Sequence, residues 1–439
     1  MNSRELAINI LDKVLEKGAY SNIALSNELN NSDLNDKDKA LATEIVYGTI
    51  RRLKTLDMII SSFVKDMSVM DKTILNILRV AIYQMQFLDK VPSYAACNEA
   101  VELAKKVSEK DSKLVNGILR NYSIKDGIIN IEFRNKIDEM AYEFSFEPWM
   151  IRMFIKQYGE AETLRILHGL NCTPKLTVRV NNLKAEYEDV YDELEELGYD
   201  VEDGSICPEA ISIKGGKNIE NNPVFSEGKI TVQDESAMLV APVLNLEDGL
   251  TVLDLCSAPG GKTTHISELL DNTGRVLAFD VHPQKLDLIK ENADRLGITN
   301  IELNEMDATK LDAKYVGLGD RVLIDVPCSG IGIIRKKPEI KWNKSRKDLK
   351  EIVEIQRNIM ENAWEYLRKG GVMVYSTCTL NKLENEDNIN WFLNKHKDAK
   401  IEKVFLGKGD NLRYDDLGTV TIIPNENMDG FFIAKIKKN

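Results

Sequence analysis

Short apolar segments in the C-terminal part of the chain alternate with helical patterns, and this alternation constrains the fold more than any other feature. The segments are TVLDL, RVLAFD, RVLIDV and VMVYST, all after residue 250. Such runs are typical of buried parallel strands, and the stretches between them, for example PQKLDLIKENADRLG, have helical spacing. The pattern predicts an open, doubly wound α/β sheet over residues 241–439, closed by a hairpin of VTII and FFIAKI. Ligands bind such sheets beyond the carboxyl ends of the strands.

The rest of the chain predicts two further domains, because 439 residues are too many for one ordinary core. Residues 1–130 have only helical periodicity, as in Leu6, Ile10 and Val14, and predict an all-α domain. A polar connection and a helical stretch around Trp149–Leu170 follow. The strand-like KLTVRVN, the acidic helix EDVYDELEELGYDVED and the short strands ISIKGG and KITVQ then predict a small α+β module over residues 140–240.

The charge of the chain is unevenly distributed. The formal net charge is -12, but residues 183–250 hold 17 Asp and Glu against 4 Lys and Arg, a net of -13. Residues 335–350 hold eight Lys and Arg against two acids, a net of +6. A locally basic surface that could bind phosphates is therefore compatible with an acidic protein.

A glycine turn follows the first strand of the predicted sheet. In DLCSAPGGKTTH, the residues Pro259, Gly260 and Gly261 lead directly into a helix at Lys262, which is typical of a cradle for a nucleotide-like ligand. A phosphate-binding loop would need glycine in place of Cys256, and the dinucleotide fingerprint GxGxxG is absent.

Two acidic residues follow the next two strands. Asp280 is placed to accept hydrogen bonds from ribose hydroxyls, although it could instead cap the helix that opens at Pro283. Asp307 could accept from an adenine amino group. A glycine turn and two acids describe an adenosine pocket without a pyrophosphate site, which points to S-adenosylmethionine.

Two cysteines follow the fourth and fifth strands of the sheet. Cys328 lies in DVPCSG with Asp325, and Cys378 lies in STCTLNKLENE. Most lone cysteines are small core residues, but two at neighbouring strand ends beside a carboxylate predict a reactive site. A thiolate that adds to C6 of cytosine makes C5 nucleophilic enough to take a methyl group, and Asp325 could hydrogen-bond the N3 edge of the ring.

The basic segment follows this site directly. Charge runs are often only solvated loops, but its position and the presence of Trp342 predict contacts with RNA phosphates. The predicted RNA-binding residues are Arg335, Lys336, Lys337, Lys341 and Trp342.

Several classes of protein are not expected. The first residues are charged throughout, which is unlike a signal peptide, and no apolar run is long enough for a membrane span. The six cysteines form no CxxC pair and the four histidines have no ligand spacing, so neither a metal site nor a disulfide framework is expected. A cytoplasmic monomer is the expectation.

The motifs, taken together, resemble a known family. DLCSAPGGKT, AFDVHP, MDATKL, DVPCSG with IRKKPEIKW, and YSTCTLNKLENE resemble the successive motifs of RNA 5-methylcytosine methyltransferases. KALATEIVYGTIRRLKTLD and LVNGILRN resemble the NusB-like RNA-binding domain of the RsmB-type (Sun/Fmu) bacterial 16S ribosomal RNA cytosine-C5 methyltransferases.

The resemblance implies a fold, a substrate and a role for each site residue. It implies a Rossmann-like methyltransferase domain after the NusB-like domain and the middle module, and a cytosine at position 967 of 16S ribosomal RNA. The nucleophile is then Cys378, and Cys328 assists product release, although DNA cytosine methyltransferases use the cysteine of the PC motif instead. The implied S-adenosylmethionine site consists of Cys256, Ser257, Ala258, Pro259, Gly260, Gly261, Lys262, Asp280, Asp307 and Asp325.

Two alternatives remain open at this point. The same chemistry could act on a different RNA, since a NusB-like domain does not name the nucleotide. The chain could also be an RNA-binding scaffold with an inactive methyltransferase fold, although a scaffold has no need for the two cysteines and Asp325.

Overall fold

The computed structural model describes residues 2–125, 129, 131–215 and 218–439. The helices are α1 (Ser3–Lys17), α2 (Ser21–Asn30), α3 (Asp36–Arg51), α4 (Leu53–Ser61), α5 (Lys72–Phe87), α6 (Ser93–Val107), α7 (Glu109–Ile124), α8 (Lys136–Phe144), α9 (Pro148–Tyr158), α10 (Glu160–Asn171), α11 (Tyr187–Glu196), α12 (Pro223–Ser226), α13 (Glu235–Met238), α14 (Val240–Val243), α15 (Gly261–Leu269), α16 (Pro283–Leu296), α17 (Ile340–Asn343), α18 (Asp348–Tyr366) and α19 (Glu386–Lys395). The strands are β1 (Leu176–Val180), β2 (Asp200–Asp203), β3 (Ala210–Gly215), β4 (Ile230–Val232), β5 (Thr251–Asp254), β6 (Arg275–Asp280), β7 (Ile301–Glu305), β8 (Gly319–Asp325), β9 (Leu367–Thr377), β10 (Ala399–Glu402), β11 (Leu412–Tyr414), β12 (Val420–Ile422) and β13 (Phe431–Lys438). Short 3-10 helices span Ile219–Asn221, Ala313–Tyr315 and Ile331–Ile333.

The chain forms two compact units. The first consists of the residues up to Leu167 together with Ile334–Asn343, and the second consists of His168–Ile333 and Lys344–Asn439. No helix within the described part of the chain combines the length and the apolar character that a membrane crossing requires.

The first unit is helical, as predicted. Its core forms around α5, which is buried from Ile74 to Gln84. The helix begins where the Asp71 carboxylate accepts hydrogen bonds from the backbone N–H groups of Thr73 and Ile74 at 2.9 and 3.1 Å, which satisfies amides that have no partner within the helix. The predicted polar connection after residue 125 lies partly outside the described residues, at 126–128 and 130.

The predicted helical stretch around Trp149–Leu170 is two helices, α9 and α10. Gly159 separates them with a φ of 77°, a backbone conformation that favours glycine.

The middle module is an antiparallel sheet with the strand order β2-β3-β1-β4. The acidic α11 buries only Val190 and Leu194 and exposes most of its carboxylates, so its charge lies on a solvated face. This confirms the predicted α+β module. The last residue of the predicted strand ISIKGG, Gly216, lies outside the described residues.

The large sheet carries the predicted βα units. Its strand order is β11-β12-β13-β9-β8-β5-β6-β7, with β10 paired to β13. Five neighbouring strands, β9, β8, β5, β6 and β7, are parallel. Strand β13 pairs antiparallel with β9 and forms the predicted hairpin with β12. Because β5, β6, β8 and β9 are adjacent, the segments after them converge at one edge of the sheet.

Candidate active site

The two predicted cysteines meet at the carboxyl ends of β8 and β9. These strands are parallel neighbours in a register that pairs Asp325 with Ser376. The turns that follow bring the Sγ atoms of Cys328 and Cys378 to 3.0 Å from each other. Both cysteines are partly exposed, so a substrate can reach them.

A close approach of backbone segments holds the Cys378 turn in place. The N–H of Gly332 donates to the carbonyl oxygen of Cys378 at 2.9 Å, and the N–H of Gly430 donates to the carbonyl oxygen of Gly332 at 2.9 Å. A Cβ at Gly332 would lie 1.9 Å from the Gly430 carbonyl oxygen and 2.8 Å from that of Cys378. Only glycine fits at this position without displacing the cysteine.

A buried carboxylate joins the two cysteine turns. Glu384 is fully buried and accepts hydrogen bonds from the N–H and Oγ of Ser329 at 2.8 and 2.6 Å. It also accepts from Gln356 and Asn381, each at 3.0 Å. Ser329 is the residue after Cys328, and Asn381 lies three residues after Cys378. One carboxylate therefore fixes both turns. This role of Glu384 was not predicted from the sequence, although the residue stands in the motif STCTLNKLENE.

The predicted glycine turn forms one wall of a cavity of about 200 Å³. Gly260 has a φ of 103°, and a Cβ there would lie 3.2 Å from Ile289, so the turn requires glycine. The cavity is lined by Val232, Gln233, Ala237, Asp254, Cys256, Ser257, Ala258, Pro259, Gly261, Lys262 and Asp325. Most residues of the predicted turn and Asp325 therefore share one cavity.

An ion pair connects this cavity to the cysteines. Lys262 donates to Asp325 Oδ2 at 2.7 Å, and Ser376 Oγ donates to Asp325 Oδ1 at 2.7 Å. Burial acts to lower the pKa of Lys262, but the attraction and the hydrogen bond of Asp325 outweigh it, and the pKa is raised. Lys262 is therefore a cation at neutral pH, and its charge also interacts with Cys378.

The two other predicted acids differ in how free their carboxylates are. Asp280 ends β6 and accepts from the N–H of His282 at 2.9 Å. His282, not Asp280, is the N-cap residue of α16, and no side chain of the described residues caps this helix. Asp307 accepts from the N–H and Oγ1 of Thr309 at 3.0 and 2.6 Å and pairs with Lys310 at 3.1 Å. Neither residue lines the cavity that the glycine turn forms.

Comparison with known proteins identifies the family of the chain. Residues 241–437 match the family described as 16S rRNA methyltransferase RsmB/F, residues 1–123 match the NusB family, and residues 146–220 match the ferredoxin-like domain of RsmF/B-like methyltransferases. The chain is 36% identical to the probable ribosomal RNA small subunit methyltransferase B of Bacillus subtilis, with 99% of this chain and 98% of that protein covered. The chain belongs to the RsmB family.

Two further comparisons extend over the full length of the chain. Ribosomal RNA small subunit methyltransferase B of Shewanella oneidensis is 32% identical, with 100% of this chain and 99% of that protein covered. The crystal structure of PH0851 superposes with a TM-score of 0.84 at 29% identity, with 100% of this chain and 99% of that chain covered. The family resemblance of the motifs and the fold class that it implied are thus confirmed.

Two polar residues of this RsmB-family site were not predicted from the sequence. Asp254 ends β5 and is 1% exposed; its Oδ2 accepts from Thr263 at 2.7 Å, whereas its Oδ1 has no hydrogen-bond partner within the described residues. The Nε2 atom of Gln233 is likewise buried without a partner in the described part of the chain. Burial raises the pKa of Asp254 to about 7.

The basic segment of this RsmB-family chain differs from its prediction. Lys341 is fully buried, where its Nζ donates to the carbonyl oxygens of Arg51 and Ser145, each at 3.0 Å. Arg335 is 1% exposed. The predicted phosphate contacts are therefore wrong for these two residues, because a buried cation cannot reach a phosphate on the surface.

The remaining predicted RNA contacts are partly exposed. Lys336 and Lys337 are half-buried, and the Trp342 indole donates to the carbonyl oxygen of Ile50 at 2.8 Å while lining a cavity of about 370 Å³ in the first unit. The run of charges predicted one surface, but its apolar neighbours Ile334 and Ile340 are buried and take part of the segment into the interior.

Proposed function

We propose that this chain transfers a methyl group from S-adenosylmethionine to C5 of a cytosine in 16S ribosomal RNA, with Cys378 as the nucleophile. As a member of the RsmB family, the chain is an S-adenosylmethionine-dependent RNA methyltransferase. The observation that carries the finer proposal is the 3.0 Å approach of the Cys328 and Cys378 sulfur atoms beside the Asp325–Lys262 ion pair. The family resemblance implies position 967 as the target.

The cavity residues fit S-adenosylmethionine. Residues of the glycine turn line a cavity of about 200 Å³. The N-terminus of α15 favours an anionic group, and the buried Asp254 Oδ1 and Gln233 Nε2 atoms have no partner in the described chain. The residues proposed to hold it are Cys256, Ser257, Ala258, Pro259, Gly260, Gly261, Lys262, Asp280, Asp307 and Asp325. When bound, S-adenosylmethionine supplies an electrophilic methyl group.

The cysteine surroundings support Cys378 as the nucleophile. The hydrogen bond with Cys378 and burial raise the pKa of Cys328 well above its ordinary value. Burial and the nearby carboxylates of Asp254, Asp325 and Asp280 do the same for Cys256. Both groups are thiols at neutral pH, and the thiol form is a poor nucleophile.

The chain's own residues then act in order on the cytosine. The Cys378 thiolate forms a bond to C6, and the C5–C6 π electrons become available at C5 for methylation. The Asp325 carboxylate accepts a hydrogen bond from the edge of the ring that carries N3 and the N4 amino group, and so holds the base in register with the sulfur. After a base removes the C5 proton, the electron pair restores the double bond and expels the Cys378 thiolate, which the neighbouring Cys328 thiol assists by donating to that sulfur.

RNA containing 5-fluorocytosine at the target position tests this proposal. Fluorine cannot leave C5 as a cation, so the enzyme stays joined to the RNA after methylation, and a denaturing gel detects the adduct. We expect the wild-type chain to form it and Cys378→Ala to form none while still binding S-adenosylhomocysteine. An adduct that depends on Cys328 and not on Cys378 would reverse the two roles.

A deletion strain separates the enzyme from the alternatives. Bisulfite sequencing of its ribosomal RNA should show the loss of one methylated cytosine at position 967. Loss at a different nucleotide would give the same chemistry another target, and an unchanged methylation pattern would support a non-catalytic RNA-binding scaffold.

We further propose the arrangement in which this activity operates. The division of the chain is into a NusB-like domain at 1–130, an α+β RNA-binding module at 140–240 and the methyltransferase domain at 241–439. The proposed location is the cytoplasm, because the proposed substrate is ribosomal RNA, and the proposed oligomeric state is a monomer. The family resemblance implies that the target cytosine lies in a hairpin loop. A base in such a loop is already partly unstacked, so its extrusion into the site costs at most a few kcal/mol.

A further inference from the structure

A residue of the middle module forms part of the cavity wall. Gln233 follows β4, and its backbone N–H donates to the carbonyl oxygen of Thr177 in β1 at 3.1 Å. The residue is 8% exposed, and it lines the cavity together with residues of the glycine turn such as Gly261. The four-stranded sheet thus fixes the position of this amide.

A buried arginine fixes the orientation of the Gln233 amide. Arg179 in β1 is fully buried, and its Nε and Nη2 donate to the two carboxylate oxygens of Glu268 at 2.9 and 2.7 Å. Its Nη1 donates to Oε1 of Gln233 and, at 2.9 Å, to the carbonyl oxygen of Gly261. Because a guanidinium offers only hydrogen-bond donors, the amide must turn its oxygen towards Arg179.

The amide nitrogen is consequently left for the cavity. The Nε2 atom of Gln233 is buried and has no hydrogen-bond partner among the described residues. A buried donor without an acceptor is unfavourable, and an acceptor on a bound ligand relieves this cost. The amide lies beside the first residue of α15, because a Cβ at Gly261 would be 3.7 Å from Gln233 Cδ.

We propose that Gln233 Nε2 binds the carboxylate of the amino-acid portion of S-adenosylmethionine, and that Arg179 is the positioning residue that orients it. This inference rests on the proposed function. The N-terminus of a helix attracts anions, and within this ligand the carboxylate is the anionic group. The amide of Gln233 and the first backbone N–H groups of α15 therefore converge on the same group.

Two ligands that differ in the amino-acid portion test the proposal on the full-length chain. S-adenosylhomocysteine carries the carboxylate and 5′-methylthioadenosine lacks it, and isothermal titration calorimetry measures the affinity of each. We expect Gln233→Leu to weaken S-adenosylhomocysteine about tenfold, the effect of one hydrogen bond to a charged group, and to leave 5′-methylthioadenosine unchanged. Gln233→Glu, which places a negative charge beside the carboxylate, should show the same selectivity with a larger loss.

Val232→Ala is the matched control, because Val232 lines the same cavity with an apolar side chain. It should change the two affinities by the same factor. For Arg179→Lys, which cannot hold Glu268 and Gln233 together, we expect a raised KM for S-adenosylmethionine at an unchanged kcat. If Gln233→Leu melts much earlier than the wild type, Gln233→Asn, which is one methylene shorter, replaces it.

The outcomes separate this inference from the proposed function. Equal losses for both ligands in Gln233→Leu, or an unchanged affinity for S-adenosylhomocysteine, would overturn the role of Gln233. A wild-type chain that binds neither ligand would instead overturn the proposed function.

Discussion

Cys328 and Cys378 have different surroundings, although their sulfur atoms are 3.0 Å apart. Glu384 and Asp325 add to the hydrogen bond and the burial that raise the pKa of Cys328. Lys262, in contrast, interacts favourably with a charge on Cys378. The residue-level electrostatics therefore favour a division of labour in which Cys378 attacks and Cys328 donates.

Removal of Cys328 tests this division. We expect Cys328→Ala to form the covalent RNA adduct at Cys378 but to release it slowly, because the thiol that donates to the departing sulfur is missing. A denaturing gel of the variant with unmodified RNA should then show an accumulated protein–RNA species. The wild type is the control, and its failure to accumulate the species excludes nonspecific crosslinking. Release at the wild-type rate would show that Cys328 has no part in this step.

Asp254 makes the stability of the folded chain depend on pH, and the sign of this dependence follows from the raised pKa of its carboxyl group. The carboxyl ionises near 3.8 in an unfolded chain and at about 7 in the folded one. Between these values the folded chain keeps a proton that the unfolded chain has lost, so a rise in pH favours unfolding until about pH 7.

Asp254→Asn should remove this contribution. The free energy of unfolding of the variant minus that of the wild type should rise by about 1 kcal/mol for each pH unit up to about pH 7 and then stay level. Urea unfolding at a series of pH values measures the difference. A difference that does not vary with pH would contradict a raised pKa at this residue.

Some site residues were predictable from the sequence because they directly follow strands, and others were not because their role depends on tertiary packing. Cys328, Cys378 and Asp325 directly follow strands, so strand order alone predicts that they meet. Gln233 and Asp254 stand out because each has one buried polar atom with no hydrogen-bond partner among the residues that the structure describes. That property depends on tertiary packing, and neither composition nor spacing expresses it.

At the level of elements, the sheet was predictable because each buried parallel strand is a separate apolar run. The helical stretch expected around Trp149–Leu170 is helical, but the prediction did not include the division at Gly159. Apolar periodicity continues across the break, so periodicity could not reveal it. The close packing of the turns after β8 and β9 was also outside the reach of the sequence, because it depends on backbone atoms of Gly332, Gly430 and Cys378.

Gly332→Ala tests this packing. The added Cβ would overlap the carbonyl oxygen of Gly430, so the Cys378 turn must shift, and overpacking of this kind costs about 1–3 kcal/mol. We expect lower thermal stability and a larger relative loss in kcat than in affinity for S-adenosylhomocysteine. Gly117→Ala is the matched control, because nothing lies near a Cβ at this position of α7 and alanine favours a helix by about 0.5–1 kcal/mol. Wild-type turnover by Gly332→Ala would show that the turn tolerates displacement.

Across the whole molecule, charge counts predicted where cations are abundant but not which of them face solvent. The segment 334–343 belongs to the first compact unit, whereas the cations that follow belong to the second. Lys341 is buried among backbone carbonyl oxygens, and burial lowers its pKa well below the ordinary value. Arg346, Lys347 and Lys350 are exposed. The basic run therefore combines a buried structural lysine with exposed cations that remain available for phosphates.

The salt dependence of RNA binding distinguishes these two kinds of cation. Each phosphate contact of single-stranded RNA contributes about 0.7 to the slope of log K against log salt, so replacement of Arg346, Lys347 and Lys350 with alanine should reduce the slope by about 2. Lys341→Met removes a buried lysine from the same run and leaves the charges on the surface unchanged. The slope for this variant should therefore equal that of the wild type. Fluorescence anisotropy with a labelled hairpin RNA over a range of salt concentrations measures both. A slope that falls with Lys341→Met but not with the triple variant would reverse the assignment, because counterion release reports only the charges that neutralise phosphates.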